Sequence, residues 1–132
     1  MDAFAGSGAL TFEAVSRGAA AAVAIEQKRP PFKAISDSIK DLGLQKQVKA
    51  INADAGSWSA RNSDKKFDIV LLDPPYDQLQ FNLLDELVLH AKKGGIVVVS
   101  WPGHEPPPDF DTCKIITNKK YGDAQLIFYR KN

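Results

Sequence analysis

Apolar and polar positions along this chain fall into short continuous runs separated by stretches of helical period. The run Phe67-Asp68-Ile69-Val70-Leu71-Leu72 is apolar after one acid and rich in β-branched residues, so it predicts a strand buried on both faces of a parallel sheet. Residues 19–25, ending at Glu26, and residues 96–100 read as further buried strands, and residues 47–53, with Val48 and Ile51 apolar, as another strand that ends before Asp54. Between them, Leu10, Ala14 and Val15 share one face of a helix that follows Gly6-Ser7-Gly8 and closes at Arg17-Gly18. Phe32, Ile35, Ser36, Ile39 and Leu42 keep helical spacing until Gly43 ends them. Phe81, Leu84, Leu87, Val88 and Ala91 mark an amphipathic helix closed by Lys92-Lys93-Gly94-Gly95. Residues 104–109 form a stiff proline-rich crossover, and residues 114–120 and 125–130 are strands joined around Tyr121-Gly122-Asp123. Strands alternating with helices predict an α/β domain, here a single one over residues 1–132.

The chemistry collects where those strands stop. At Asp73-Pro74-Pro75-Tyr76 the prolines give no N–H to a ladder and hold the residues before them extended, so the backbone leaves the sheet in a stiff open loop. Its carbonyls and the Asp73 carboxylate are acceptors, and Tyr76 adds a flat stacking surface. Open parallel sheets bind ligands at the carboxyl ends of their strands, so this cluster is aimed at a planar molecule bearing an amino group. Gly6-Ser7-Gly8 allows close backbone approach at a helix N-terminus, which makes a ligand cradle. The dinucleotide pattern G-x-G-x-x-G would need glycine at position 11, where the chain has Thr11. Glu26 lies 18 residues after Gly8, close to the spacing at which an acid on a second strand reaches a ribose diol; the alternative is a solvated charge opening the next helix. Asp54 has two compatible readings, an acceptor for an adenine amine and the N-cap of a short helix over residues 56–60.

Composition narrows the class. With 132 residues, 44% of them hydrophobic and 25% charged, the chain holds one core and is not disordered. The one cysteine, Cys113, excludes an internal disulfide and a cysteine-rich zinc site. No signal peptide and no long apolar run are present, so the expected compartment is the cytoplasm, with no membrane partner. His90 and His104 lack neighbouring ligands at matching spacing and are expected on the solvated surface, with no metal site. The net charge is +1, so phosphates of any nucleic-acid partner must be met by a local patch.

Asp73-Pro74-Pro75-Tyr76 resembles motif IV of class I S-adenosylmethionine-dependent methyltransferases acting on exocyclic amines of bases, and Asp2-Ala3-Phe4-Ala5-Gly6-Ser7-Gly8 resembles their motif I. Phe4-Ala5-Gly6-Ser7-Gly8-Ala9-Leu10 with Leu72-Asp73-Pro74-Pro75-Tyr76 looks most like the RsmD-like family of small-subunit ribosomal RNA guanine-N2 methyltransferases. The resemblance implies a Rossmann-like sheet of order 3-2-1-4-5-7-6 with the last strand antiparallel and helices on both faces. It implies S-adenosyl-L-methionine held by Asp2, Phe4, Gly6, Ser7, Gly8, Glu26 and Asp54, with Asp73, Pro74, Pro75 and Tyr76 at the target base. The implied partner is ribosomal RNA or the assembling small ribosomal subunit, met by a monomer. Adenine-N6 methylation of DNA or RNA, and a non-catalytic cofactor- or nucleic-acid-binding remnant, stay open as alternatives. Residues 1–5 supply only a stub of the central first strand. The chain is therefore expected to bind cofactor more weakly than a version extended upstream, and to methylate RNA poorly by itself.

Overall fold

A computed structural model describes all 132 residues, 1–132. It forms two compact units, Met1–Trp58 and Ser59–Asn132.

In the first unit, helix α1 (Ala9–Ser16) follows the glycine loop, strand β1 (Ala22–Glu26) follows the turn at Gly18, and helix α2 (Arg29–Asp41) leads to strand β2 (Val48–Asn52). Strands β1 and β2 pair in parallel from Ala22 opposite Val48 to Glu26 opposite Asn52, as a connection through a helix requires. On the other side of β1, the stub bridges Asp2 to Ala24, with the Asp2 amide on the Val23 carbonyl (2.8 Å) and the Ala5 amide on the Ile25 carbonyl (3.0 Å). Ala5, Ala24, Ile35, Ile39 and Val48 form the core, with Phe12, Val15 and Leu44 packed against it. Two helical faces differ from the sequence-based expectation. Leu10 and Leu42 are exposed, and the buried position of α1 is Thr11. A polar side chain occupies it because the Thr11 hydroxyl donates to Asp2 Oδ2 at 2.8 Å, both groups being buried.

After helix α3 (Ala55–Arg61), the second unit continues with strand β3 (Phe67–Leu72), a 3-10 turn (Tyr76–Gln78), helix α4 (Phe81–Val88), and strands β4 (Ala91–Pro102), β5 (Cys113–Tyr121) and β6 (Ala124–Lys131). The sheet order is β3-β4-β6-β5, with β3 and β4 parallel and β6 antiparallel to both its neighbours. Counting the stub as the first strand, the first unit carries 3-2-1 and the second 4-5-7-6, each part matching its share of the expected order. Strand β3 is buried at Val70 and Leu72 while Ile69 is half exposed, so burial on both faces holds only towards its carboxyl end.

A larger correction concerns residues 91–95, expected to close a helix. They belong to β4, where Phe67 faces Ala91 and Ile69 already faces Ile96, so Lys92 to Gly95 bulge out of the ladder. Gly94 takes φ 80°, and a Cβ on Gly95 would lie 2.9 Å from the Asp68 carbonyl oxygen. The two glycines permit the bulge; a helix closure would have used the same residues.

The crossover between β4 and β5 is rich in proline and so poor in N–H groups, and side chains supply donors to its carbonyls. Trp101 Nε1 donates to Pro106 at 3.0 Å, Gln125 Nε2 to Glu105 at 2.8 Å and the Tyr129 hydroxyl to Pro108 at 2.7 Å. His90 overturns the surface expectation, being 2% exposed. Its Nδ1 lies 2.7 Å from the Lys65 carbonyl and its Nε2 2.8 Å from Ser59 Oγ. The carbonyl only accepts, so Nδ1 carries a proton and donates to it. His104 is exposed beside Glu105. No helix is long and apolar enough to cross a membrane.

Candidate functional site

The glycine loop is built by its backbone. Gly6 at φ 57° and Gly8 at φ 92° lie in the left-handed region, which L side chains avoid. A Cβ on Gly8 would also meet Phe12 Cε2 at 2.7 Å and Ile35 Cγ1 at 3.2 Å, whereas one on Gly6 would meet nothing within 4 Å. Gly8 is therefore required for packing as well as for the turn, and Gly6 borders open space. Helix α1 starts at Gly8 without a side-chain cap, leaving amides of its first turn available to an acceptor. Ser7 is exposed beside the loop and Phe4 is half-buried.

Glu26 ends β1 next to that loop. Its Oε1 accepts the Gly6 amide at 2.8 Å and its Oε2 the Lys28 amide at 2.8 Å. Each oxygen keeps a second lone pair, so the carboxylate is fixed in place and still able to accept. Asp54 is brought to the same end: Asn52 pairs with Glu26, its side-chain amide donates to the Glu26 carbonyl at 2.9 Å, and the Ala53 amide donates there at 3.2 Å. Asp54 Oδ2 accepts from the Ser57 amide (3.0 Å) and hydroxyl (3.1 Å), capping helix α3 (Ala55–Arg61). The capping reading of Asp54 is thus realised, through one of its two oxygens. Asp2 is buried and ties the stub to α1 through Thr11, so it shapes the loop from beneath.

The second cluster follows β3. Asp73 is exposed and its carboxylate makes no hydrogen bond or ion pair with the chain; Pro74 is buried, while Pro75 and Tyr76 are exposed. The Pro75 carbonyl accepts the Gln78 amide at 3.1 Å, which closes the turn. Tyr76 keeps 40% exposure, and its hydroxyl is anchored to Ser100 Oγ at 2.8 Å. Leu72 faces Val99 across the parallel pair, so Ser100 stands beside Asp73 in register. Phe81 lies edge-on to Trp101 with ring centroids 5.6 Å apart. Ser100 is not singled out by the sequence because it looks like the last residue of a buried strand. A polar residue at the carboxyl end of the strand next to Asp73 was the available signal.

A free carboxylate, an anchored ring and a glycine cradle narrow the possibilities, and relatives decide the family. The model of a family described as conserved hypothetical protein 95 matches residues 1–130. The chain belongs to this family. Relatives agree with the resemblance drawn from Asp73-Pro74-Pro75-Tyr76 and the glycine loop. "Ribosomal RNA small subunit methyltransferase D" of Buchnera aphidicola is 37% identical over 78 residues, 59% of this chain and 40% of that protein. The protein of that name in Escherichia coli K12 is 40% identical over 90 residues, 67% of this chain and 42% of that protein. The match therefore spans less than half the length of either relative. A solved structure of a conserved hypothetical protein from Streptococcus pyogenes superposes with a TM-score of 0.83 at 30% identity, covering 99% of this chain and 84% of that one. The family fold is the Rossmann-like α/β arrangement described above.

Proposed function

We propose that this domain transfers a methyl group from S-adenosylmethionine to an exocyclic amine of a nucleic-acid base, N2 of a guanine in small-subunit ribosomal RNA. The observation that carries the reading is Asp73: an exposed carboxylate with no partner in the chain, at the carboxyl end of β3 beside an anchored aromatic ring. Relatives named as ribosomal RNA small subunit methyltransferases support it.

The residues of the glycine loop fit the cofactor. Glu26 offers lone pairs to a ribose diol, the uncapped start of α1 offers amides to an amino-acid carboxylate, and the space at Gly6 admits a ligand. Asp54 Oδ1 is the acceptor left for an adenine amine. When bound, the cofactor supplies a methyl group activated by its sulfonium. The chain's own work lies in the base. An exocyclic amine is a poor nucleophile because its lone pair is delocalised into the ring. Hydrogen bonds accepted by the Asp73 carboxylate and the Pro74 carbonyl localise that lone pair outward and orient it. Asp73 acts as orienter and electrostatic partner, with the amine proton leaving late. Tyr76 stacks on a base withdrawn from its helix.

The test is transfer of labelled methyl to unmodified ribosomal RNA, small subunits and DNA in parallel. Label in RNA or subunits is expected; label confined to DNA favours adenine methylation, and binding of cofactor without transfer to any of them overturns the enzymatic reading.

A further inference from the structure

We infer that a groove at the opposite end of the second unit's sheet from Asp73 is a phosphate-backbone contact for RNA, an inference that rests on the reading of RNA as substrate. The groove encloses about 440 Å³ and is lined by Lys93, Lys114, Arg130 and Lys131, with Ile115 and Ile116 between the cations. No acidic side chain lines it. None of the four cations lies within ion-pair distance of a carboxylate, whereas neighbouring Lys92 is paired with Asp68 at 3.3 Å.

Its charge is concentrated at a cost. Lys114 stands directly opposite Arg130 in the β5–β6 ladder, and like charges facing each other across a sheet are destabilising. A bound polyanion offsets that repulsion. Arg130 Nη1 donates to the Gly94 carbonyl at 2.8 Å, which holds the guanidinium still while its remaining donors suit a phosphate. Lys93 reaches the groove from the bulge over Lys92 to Gly95, and a register shift between Ile115 and Thr117 interrupts the regular ladder of the edge strand there. Ile115 and Ile116, both about half exposed, give sugars an apolar floor.

With 17 basic against 16 acidic residues, the chain has no general attraction for a polyanion, so phosphates must be met where cations gather. The rise of β4 from Gly94 to Ser100 separates groove and Tyr76 anchor by about 20 Å. The groove therefore positions RNA and does not read the target base. A folded RNA or subunit can reach both ends; a short oligonucleotide around the target cannot.

The experiment measures filter binding of unmodified small-subunit ribosomal RNA against salt, and methyl transfer to the same RNA, for the unaltered chain and for the triple variant Lys93→Ala, Lys114→Ala, Lys131→Ala. Arg130 is kept because it also braces the bulge, and a Lys40→Ala, Lys46→Ala, Lys49→Ala variant on the first unit controls for lost charge. The groove variant is expected to lose about 10-fold or more in affinity at moderate salt. Its slope of log affinity on log salt should fall by about 0.7–0.9 for each phosphate that the chain no longer neutralises, and KM should rise for the long RNA. Equal losses in groove and control variants, or none in either, overturn the inference even if the chain methylates RNA. A groove-dependent salt slope without any methyl transfer supports the groove and sinks the enzymatic reading. Capture of polyglutamate by the groove with RNA binding unaffected assigns it to an acidic protein and overturns the RNA contact. A chain that neither binds nor methylates RNA removes both.

Discussion

The Gly6 amide donates to Glu26 Oε1 over 2.8 Å, while Glu26 Oε2 takes the Lys28 amide, so one carboxylate braces both the glycine loop and the entry to α2. Glu26→Ala should weaken S-adenosylmethionine binding by about 1.5–3 kcal/mol, the cost of losing a hydrogen bond to a charged group. Amide exchange at Gly6 should accelerate with it. Calorimetry and exchange on the variant check both, and unchanged affinity would remove Glu26 from the site.

Tyr76 is held by Ser100, whose hydroxyl tethers the phenol at the far edge of the ring. Ser100→Ala and Tyr76→Phe each delete that bond while leaving a ring to stack. Each should lower kcat/KM for RNA about 2- to 10-fold, from a net hydrogen-bond value of about 0.5–1.5 kcal/mol. The double variant should be no worse than either single one, because both remove the same interaction. Additive losses would show that the two residues act separately.

What could be read from the chain, and what could not, follows from how far apart the cooperating residues lie. The ends of β1, β2 and β3 were legible because an acid closes each apolar run locally, at Glu26, Asp54 and Asp73. The Asp54 cap was legible for the same reason, its partner Ser57 being three positions on. Thr11, by contrast, gained its meaning only from Asp2 nine positions earlier. His90 is buried by partners 31 and 25 positions away, which no local pattern announces. Lys92-Lys93-Gly94-Gly95 misled because a basic turn and glycines close helices and permit bulges alike.

His90 supports the second unit from within. His90→Ala should cost about 2–4 kcal/mol, since it opens a cavity and strands the Ser59 hydroxyl and the Lys65 carbonyl. Urea unfolding gives the value. A loss below about 0.5 kcal/mol would be that of a surface site and would contradict the buried geometry.

Burial pushes up both the Cys113 thiol and the Tyr129 phenol; Cys113 and Asp109 add negative charge around Tyr129. Both groups release their protons more readily from the unfolded chain, whose ordinary values are 9.0 and 10.0. Their contribution is therefore complete below about pH 9 and is lost as pH rises towards the folded values. The slope is about 1.4 kcal/mol per pH unit for each proton retained only by the folded state. Denaturant unfolding between neutral and strongly alkaline pH should show this decline. Cys113→Ala and Tyr129→Phe should flatten it; an equally steep decline in both variants would assign it elsewhere.

The assignment of Asp73 to a guanine amine is tested most directly by nucleoside mass spectrometry of unmodified small-subunit ribosomal RNA, after incubation with S-adenosylmethionine and either the unaltered chain or Asp73→Ala. N2-methylguanosine is predicted with the unaltered chain, and its collapse with Asp73→Ala while calorimetric cofactor affinity changes little. N6-methyladenosine in its place, or a near-normal rate from Asp73→Ala, would contradict that assignment.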